Sequence, residues 1–301
     1  MLDEFAAAID RHRRGMWTET AVPRLLLVAL DEPMDPIDVQ YEPMICFIAD
    51  GAKRSVVGDR SQVVPPGEML LNTLDLPVTA VFEKVPYRSA IMRLDGAVLA
   101  ELLLELDGAG PEAAGPGAAG PGAPPPATVG GQITAPMTPE LIDALTRWVR
   151  LLETPDDIRP LAARIESEIL YRLLRSPLGP VLRQWSLTDS AASRVRATTA
   201  WIFAHYTEPL SIDEIAAVAH MSPATLHRHF KAATGMSPLK FQKHLRLREA
   251  RRRLVAGNTT AAQAAEAVGY VSATQFNREY RSVYGLPPGQ DAARLRASVQ
   301  S

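Results

Sequence analysis

Two arginines fifty residues apart, Arg228 and Arg278, occupy the same place in two similar stretches, MSPATLHRHFKAATGMSP (221–238) and VSATQFNREYRSVYGLPP (271–288). Ser222/Ser272, Gly235/Gly285 and Pro238/Pro288 recur at that offset, while Leu226/Phe276, Phe230/Tyr280 and Lys231/Arg281 keep their character. A guanidinium is a planar fork of donors and pairs bidentately with adjacent acceptors, as on the edge of guanine. Polar and short side chains flank each arginine at helical spacing: Ala224, His227 and Lys231 in the first copy, Thr274, Asn277 and Arg281 in the second. Such groups near a helix N-terminus suit base edges in a DNA groove. A merely solvated face is the competing explanation, and its repetition at matched spacing argues against it.

Other chemistries find little support. Six histidines are present, yet residues 1–204 hold only His12, so that half of the chain lacks the clustered ligands a metalloenzyme needs. His227 and His229 are two apart and point to different sides of a helix, and His220 and His244 have no ligand spacing. The single cysteine, Cys46, lies in the apolar run MICFI and reads as a buried strand residue rather than a reactive thiol; it also rules out an internal disulfide. No glycine fingerprint for a phosphate or dinucleotide is present. No cofactor, no metal and no enzymatic activity are expected.

The elements that would carry the two arginines can be read locally. Ser222 and Ser272 sit at helix N-cap positions, with Pro223 as the first helical residue of the first copy. Leu226 with Phe230, and Phe276 with Tyr280, give each helix an apolar side to bury. Ahead of each lies a short Ala-rich helix, SIDEIAAVAH or TTAAQAAEAVG, whose Ala216 or Ala265 permits a close helix crossing. Between the copies, residues 237–256 form a continuous helix of about 30 Å, close to the roughly 34 Å between successive major-groove faces on one side of B-DNA. Its basic run of Arg246, Arg248 and Arg251–Arg253 would lie near phosphates. Ser222, Ser272, Arg246 and Arg251 are the expected phosphate contacts.

The rest of the chain has a different character. Short β-rich runs at Arg24–Leu30, Ile45–Ile48, Ser55–Val57, Met69–Leu71, Val78–Phe82 and Ser89–Leu94 alternate with turn clusters, as in a small barrel or sandwich. Leu, Val, Phe and Met would line it, an interior suited to a small apolar or aromatic molecule. Residues 108–131 are almost only Gly, Ala and Pro and read as a disordered insert. Helical periodicity follows, with Leu141, Leu145, Trp148 and Leu152, then Ile165, Ile169 and Leu173. Charge divides the chain in the same way. Residues 190–301 carry 15 basic against 7 acidic side chains, a net +8, whereas residues 1–189 carry 17 against 27, a net −10. A basic third on an acidic body fits a nucleic-acid-binding domain joined to another module.

The ordered pattern over Ile215–Pro238, Arg246–Ala250 and Val268–Pro288, including IAxxAxMS, LxRxFK, RLxxA and VGYxSxxQFxRxY, resembles the AraC/XylS family of bacterial transcription regulators. Segments 39–58, 70–80 and 147–174 are similar to the N-terminal domain of one branch of that family. The resemblance implies an α+β protein. Residues 1–189 would be a cupin-like β-barrel with accessory helices, and residues 190–301 an all-α domain with two helix-turn-helix units. It implies base reading at Ala224, His227 and Arg228 and at Ala273, Thr274, Asn277 and Arg278. It implies double-stranded DNA, a small-molecule effector, RNA polymerase and a second copy of the chain as partners. His220 departs from the family, which often has glycine in that turn. A cupin-type metalloenzyme and an architectural DNA-binding protein are the alternatives. The N-terminal charge order is the reverse of a signal peptide's and no apolar run spans a membrane, so a cytoplasmic location with no membrane partner is expected.

Overall fold

A computed structural model describes residues 1–108, 127–129, 131–186, 191–257 and 259–300. The chain falls into two compact units, one formed by 1–74 and 78–193, the other by 75–77 and 194–301. The domain boundary expected at 189/190 and most of the Gly/Ala/Pro insert lie outside the described residues. The end of that insert is a correction: Ala127–Val129 forms a strand paired with the one that follows it.

The first unit opens with helix α1 (Leu2–His12) and continues through strands β1 (Trp17–Glu19), β2 (Leu25–Leu30), β3 (Ile37–Tyr41), β4 (Met44–Val57), β5 (Arg60–Val64), β6 (Glu68–Asn72) and β7 (Leu76–Arg93). Helix α2 (Gly96–Gly108), strands β8 (Ala127–Val129) and β9 (Gln132–Pro136), and helices α3 (Pro139–Arg150), α4 (Pro155–Leu174) and α5 (Gly179–Ser186) complete it. The strands form one nine-stranded sheet in the order β1-β2-β7-β4-β6-β9-β8, with β3 on β7 and β5 on β4. The short strands expected at 45–48 and 55–57 are one long bent strand, as are those at 78–82 and 89–94. The turn-like Asp50-Gly51 is absorbed as register shifts between Ile48 and Lys53. Gly51 is required there: its φ is 73°, and a Cβ would meet the carbonyl oxygens of Lys84 and Pro86 at 2.5 Å.

These shifts decide which side chains face inward. Directly paired residues share a sheet face, and faces alternate along a strand. Ile45, Phe47, Ala49, Met69, Leu71, Ala90 and Met92 pack with Phe5 and Ile9 of α1, Leu141, Leu145 and Trp148 of α3, and Ile169 and Leu173 of α4. Cys46 and Ile48 therefore face the concave side. Beyond the shifts the parity inverts, so that Lys53, Ser55 and Val57 are the buried positions. The Ser55 hydroxyl donates to Gln132 Oε1 of β9 at 2.7 Å, a bond across the curled sheet that marks its barrel-like interior. On the helix side, Arg24 pairs with the buried carboxylate Glu166 of α4.

The second unit is all helix: α6 (Ala191–His205), α7 (Ile212–Val218), α8 (Pro223–Thr234), α9 (Pro238–Val255), α10 (Ala261–Ala267), α11 (Ala273–Tyr284) and α12 (Pro288–Gln300). Its cores meet on opposite ends of α9. Phe241 stacks edge-on against Phe230 of α8 at 5.4 Å between centroids. Leu247, Ala250 and Leu254 join Ala264, Ala265, Val268, Phe276 and Tyr280 around α10 and α11. No helix among the described residues is long and apolar enough to cross a membrane.

Candidate nucleic-acid interface

Each helix-turn-helix unit is assembled by the same local devices. Ser211 and Glu214 form a reciprocal capping box at the start of α7, and Thr260 and Gln263 do so at α10. The turn closes when the Met221 amide donates to the Ala216 carbonyl (3.0 Å), or the Tyr270 amide to that of Ala265 (2.9 Å). Both turns need a left-handed residue, which is His220 (φ 49°) in the first unit and Gly269 (φ 85°) in the second. Histidine thus occupies a position where glycine is unstrained. The reading helices then start at their serine caps: Ser222 Oγ accepts from the Thr225 amide and Ser272 Oγ from the Gln275 amide, both at 3.3 Å. Gly235 and Gly285, at φ 74° and 77°, end α8 and α11.

Turn residues correspond at an offset of 49, whereas cap residues correspond at 50. The extra residue is Val271, which is fully exposed just before the Ser272 cap. The uniform fifty-residue offset of the sequence hides it.

All nine candidate base-reading side chains, Ala224, His227, Arg228, Lys231, Ala273, Thr274, Asn277, Arg278 and Arg281, are exposed. They lie opposite the buried pairs Leu226/Phe230 and Phe276/Tyr280. Among the described residues no carboxylate pairs with Arg228, Lys231, Arg278 or Arg281. Helix α8 contains no acidic residue. The one acid of α11, Glu279, is engaged by the Tyr270 hydroxyl (2.8 Å) and the Gln275 amide. Asn277, Arg278 and Arg281 also line an open cleft with Ala261, Ser282 and Pro287–Gly289, of about 770 Å³. Two exposed faces of uncompensated cations and amide donors result.

Two expected phosphate contacts are turned inward instead. Arg246 donates to the carbonyls of Tyr206 (2.6 Å), Thr207 (3.2 Å), Glu208 (2.8 Å) and Gly269 (2.9 Å), and its guanidinium lies 5.7 Å from the Tyr270 ring. It ties the segment after α6 to the second turn. Arg251 pairs with the fully buried Asp291 at 2.7 Å and stacks 4.2 Å from Tyr284. Periodicity alone did not reveal this, because arginine on the inward side of a helix looks the same in sequence as arginine on the outward side. Arg252 and Arg253 share Glu249. Ser222 and Ser272 remain exposed at helix N-termini, where unpaired amides and the helix dipole favour an anion.

The barrel interior of the first unit is more polar than its sequence implied. Tyr41, Cys46, Lys53, Ser55, Tyr87 and Gln132 are all buried there. Lys53 Nζ donates to Tyr41 Oη at 2.9 Å and lies 3.6 Å from Cys46 Sγ, which is 3.7 Å from Tyr87 Oη. Burial, with Cys46 nearby, pushes the Tyr87 phenol well above its ordinary range and keeps it neutral. Cys46 is a buried free thiol, as its apolar setting implied.

A curled sheet backed by helices, followed by paired helix-turn-helix units on one shared helix, defines a two-module protein of the regulator type. A family model described as the AraC-type transcriptional regulator N-terminus matches residues 21–181, more than half of the chain, and a helix-turn-helix domain model matches 215–294. The chain belongs to the AraC-type transcriptional regulators.

It is 34% identical over 102 residues to the uncharacterized HTH-type transcriptional regulator YobQ of Bacillus subtilis, covering 34% of this chain and 42% of that protein. It is 28% identical over 160 residues to the HTH-type transcriptional activator RhaS of Pectobacterium carotovorum, covering 52% and 55%. The chain thus spans about half the length of the curated relatives it matches. In fold it is similar to ToxT from Vibrio cholerae O395, with a TM-score of 0.50 at 9% identity over 93% of this chain and 98% of that one.

Proposed function

We propose that this protein is a sequence-specific DNA-binding transcription regulator whose N-terminal barrel responds to a small-molecule effector. The observation that carries this is the pair of exposed helix faces bearing Arg228 with Lys231 and Arg278 with Arg281, none of them paired to an acid among the described residues. Arginine on a reading helix discriminates guanine through a bidentate contact. His227 and Asn277 add donors on the same faces, and Ala224, Ala273 and Thr274 offer small apolar contacts to thymine methyls. Ser222 and Ser272 place the N-termini of α8 and α11 against phosphates. The regulator works in the cytoplasm, as a homodimer that meets RNA polymerase at its promoters, and carries out no catalysis of its own. The unpaired cations favour this reading over a metalloenzyme, and a barrel module beside them favours it over an architectural protein.

Binding isotherms on the cognate operator and on random DNA test the proposal. Arg228→Ala and Arg278→Ala each weaken operator binding by about 1–3 kcal/mol, roughly 5- to 150-fold, with a smaller loss on random DNA. Equal losses on both DNAs would reduce the two arginines to phosphate contacts. Genome-wide occupancy gives the second check: sharp promoter peaks support a regulator, and diffuse coverage refutes it.

A further inference from the structure

The turns of the two helix-turn-helix units are tied down very unequally. In the first, the carbonyl of the left-handed residue His220 accepts from Arg194 near the start of α6, an exposed bond of 3.4 Å. In the second, the corresponding carbonyl of Gly269 accepts from Arg246 at 2.9 Å. The same guanidinium reaches three successive carbonyls, those of Tyr206, Thr207 and Glu208. Its planar fork fixes the mutual geometry of all four acceptors. Gln242, one helical turn earlier on α9 and buried, donates from Nε2 to the carbonyls of Tyr206 (3.0 Å) and Glu208 (2.7 Å). Gly269 leaves no gap: a Cβ there would meet the Thr207 carbonyl oxygen at 2.0 Å, so turn and segment touch backbone to backbone.

A short path leads from this clamp to the reading helix. The Arg246 guanidinium lies 5.7 Å from the Tyr270 ring, and the Tyr270 hydroxyl donates to Glu279 at 2.8 Å. Glu279 is the neighbour of Arg278 on α11 and also accepts from Gln275 Nε2 at 3.2 Å. Residues 206–208 directly follow α6, the helix by which the chain enters the second unit. Any displacement of that segment therefore breaks bonds at the second turn.

We propose that Arg246 is the positioning residue of the second reading helix. It clamps the turn before α11 to segment 206–208, so the operator half read by α11 depends on that segment and the half read by α8 does not. This rests on the DNA-reading proposal above and adds a hierarchy between the two heads. Arg246 touches no base in this role and acts through Gly269 and Tyr270. A displacement arriving along α6 is passed to Asn277 and Arg278 and spares His227 and Arg228.

The test uses the full-length chain, Arg246→Lys and Thr207→Gly. Lysine keeps the charge, so a phosphate contact would survive, but an ammonium cannot reproduce the fork that spans four carbonyls. Thr207→Gly loosens the segment and leaves every side chain of α9 and α11 in place. Affinity is measured for the operator and for two operators with one half scrambled. The half whose scrambling ceases to matter in Arg278→Ala is the one that α11 reads. In the parent, scrambling either half should weaken binding about tenfold or more. In Arg246→Lys the penalty for the α11 half should fall to about threefold or less, while that for the α8 half stays within about twofold of the parent. Thr207→Gly should shift the same penalty in the same direction by less, and it carries the test if Arg246→Lys fails to fold. Hydrogen exchange without DNA gives a second readout: amides 268–276 should exchange faster in both variants, and amides 219–226 should not.

Equal changes at both heads would make Arg246 a general stabiliser and overturn the proposal, as would no change at either. The two readings fail separately. A parent that prefers no operator over random DNA, with exchange still rising at 268–276, removes the DNA reading and keeps the clamp. A parent that reads both halves, with variants that retain both penalties, removes the clamp and keeps the DNA reading.

Discussion

The two helix-turn-helix units share a plan and differ in what closes them. At corresponding positions, Phe230 meets Phe241 in the first unit and Tyr280 meets Asp291 in the second. One contact is an edge-to-face pair of hydrocarbon rings. The other is a hydroxyl donating to a buried carboxylate at 2.9 Å, with Arg251 and Arg294 on the same carboxylate. The same supersecondary frame is therefore held once by area removed from water and once by a charge network. The lesson is that duplicated units can keep their outward faces alike while their interiors respond to different conditions.

The comparison can be broken from the apolar side first. Phe241→Ala leaves a cavity under α8 and is expected to cost about 3–5 kcal/mol, read by urea unfolding of the full chain. Asp291→Ala strands the Arg251 guanidinium and should cost about 3 kcal/mol in the same assay.

Acid sharpens the contrast. Burial alone would raise the Asp291 carboxyl, but the Arg251 guanidinium, helped by Tyr280 and Arg294, holds it below the ordinary aspartate range. A depressed folded-state value means its contribution is present above the ordinary range and is lost as pH falls through the depressed one. Asp291→Asn should therefore flatten the acid limb of the unfolding profile, and Phe241→Leu should leave it unchanged.

The turns supply the next contrast. A Cβ on Gly269 would meet the Thr207 carbonyl oxygen at 2.0 Å, so Gly269→Ala should cost about 2–3 kcal/mol. His220→Gly instead relieves a left-handed histidine and should change stability by less than about 1 kcal/mol, in the stabilising direction. The caps should be the most alike, with Ser211→Ala and Thr260→Ala each costing about 1 kcal/mol. A large difference between those two would show that the frames are not equivalent.

Much of the second unit was legible because helix caps and apolar pairs are local. Ser222, Ser272, Gly235 and Gly285 stand where their chemistry demands. His220 was also visible as a departure, and the structure gives it the positive φ that a glycine would take without strain. The inward roles of Arg246 and Arg251 were not legible, since their partners are carbonyls at 206–208 and 269 and a carboxylate forty residues on. Val271 escaped because a single offset cannot represent an insertion between turn and cap. In the first unit the strands were found but their inner face was misjudged. Alternation from Cys46 would send Lys53 outward, and only the register shifts between Ile48 and Lys53 bring it in.

Helix α9 has one more consequence. Its eighteen residues from Pro238 to Val255 serve both cores without a break, and Arg246 staples its middle to the second turn. A chain built on such a strut has almost no play between its two reading heads. For the DNA binding proposed above, the spelling of an operator then includes the distance between its two words. One inserted base pair turns the second word by about 34° around the duplex, beyond the reach of a head that cannot swivel. Each head raises the local concentration of the other's target only at the correct spacing. Drift in operator length would then be selected against as strongly as drift in its letters.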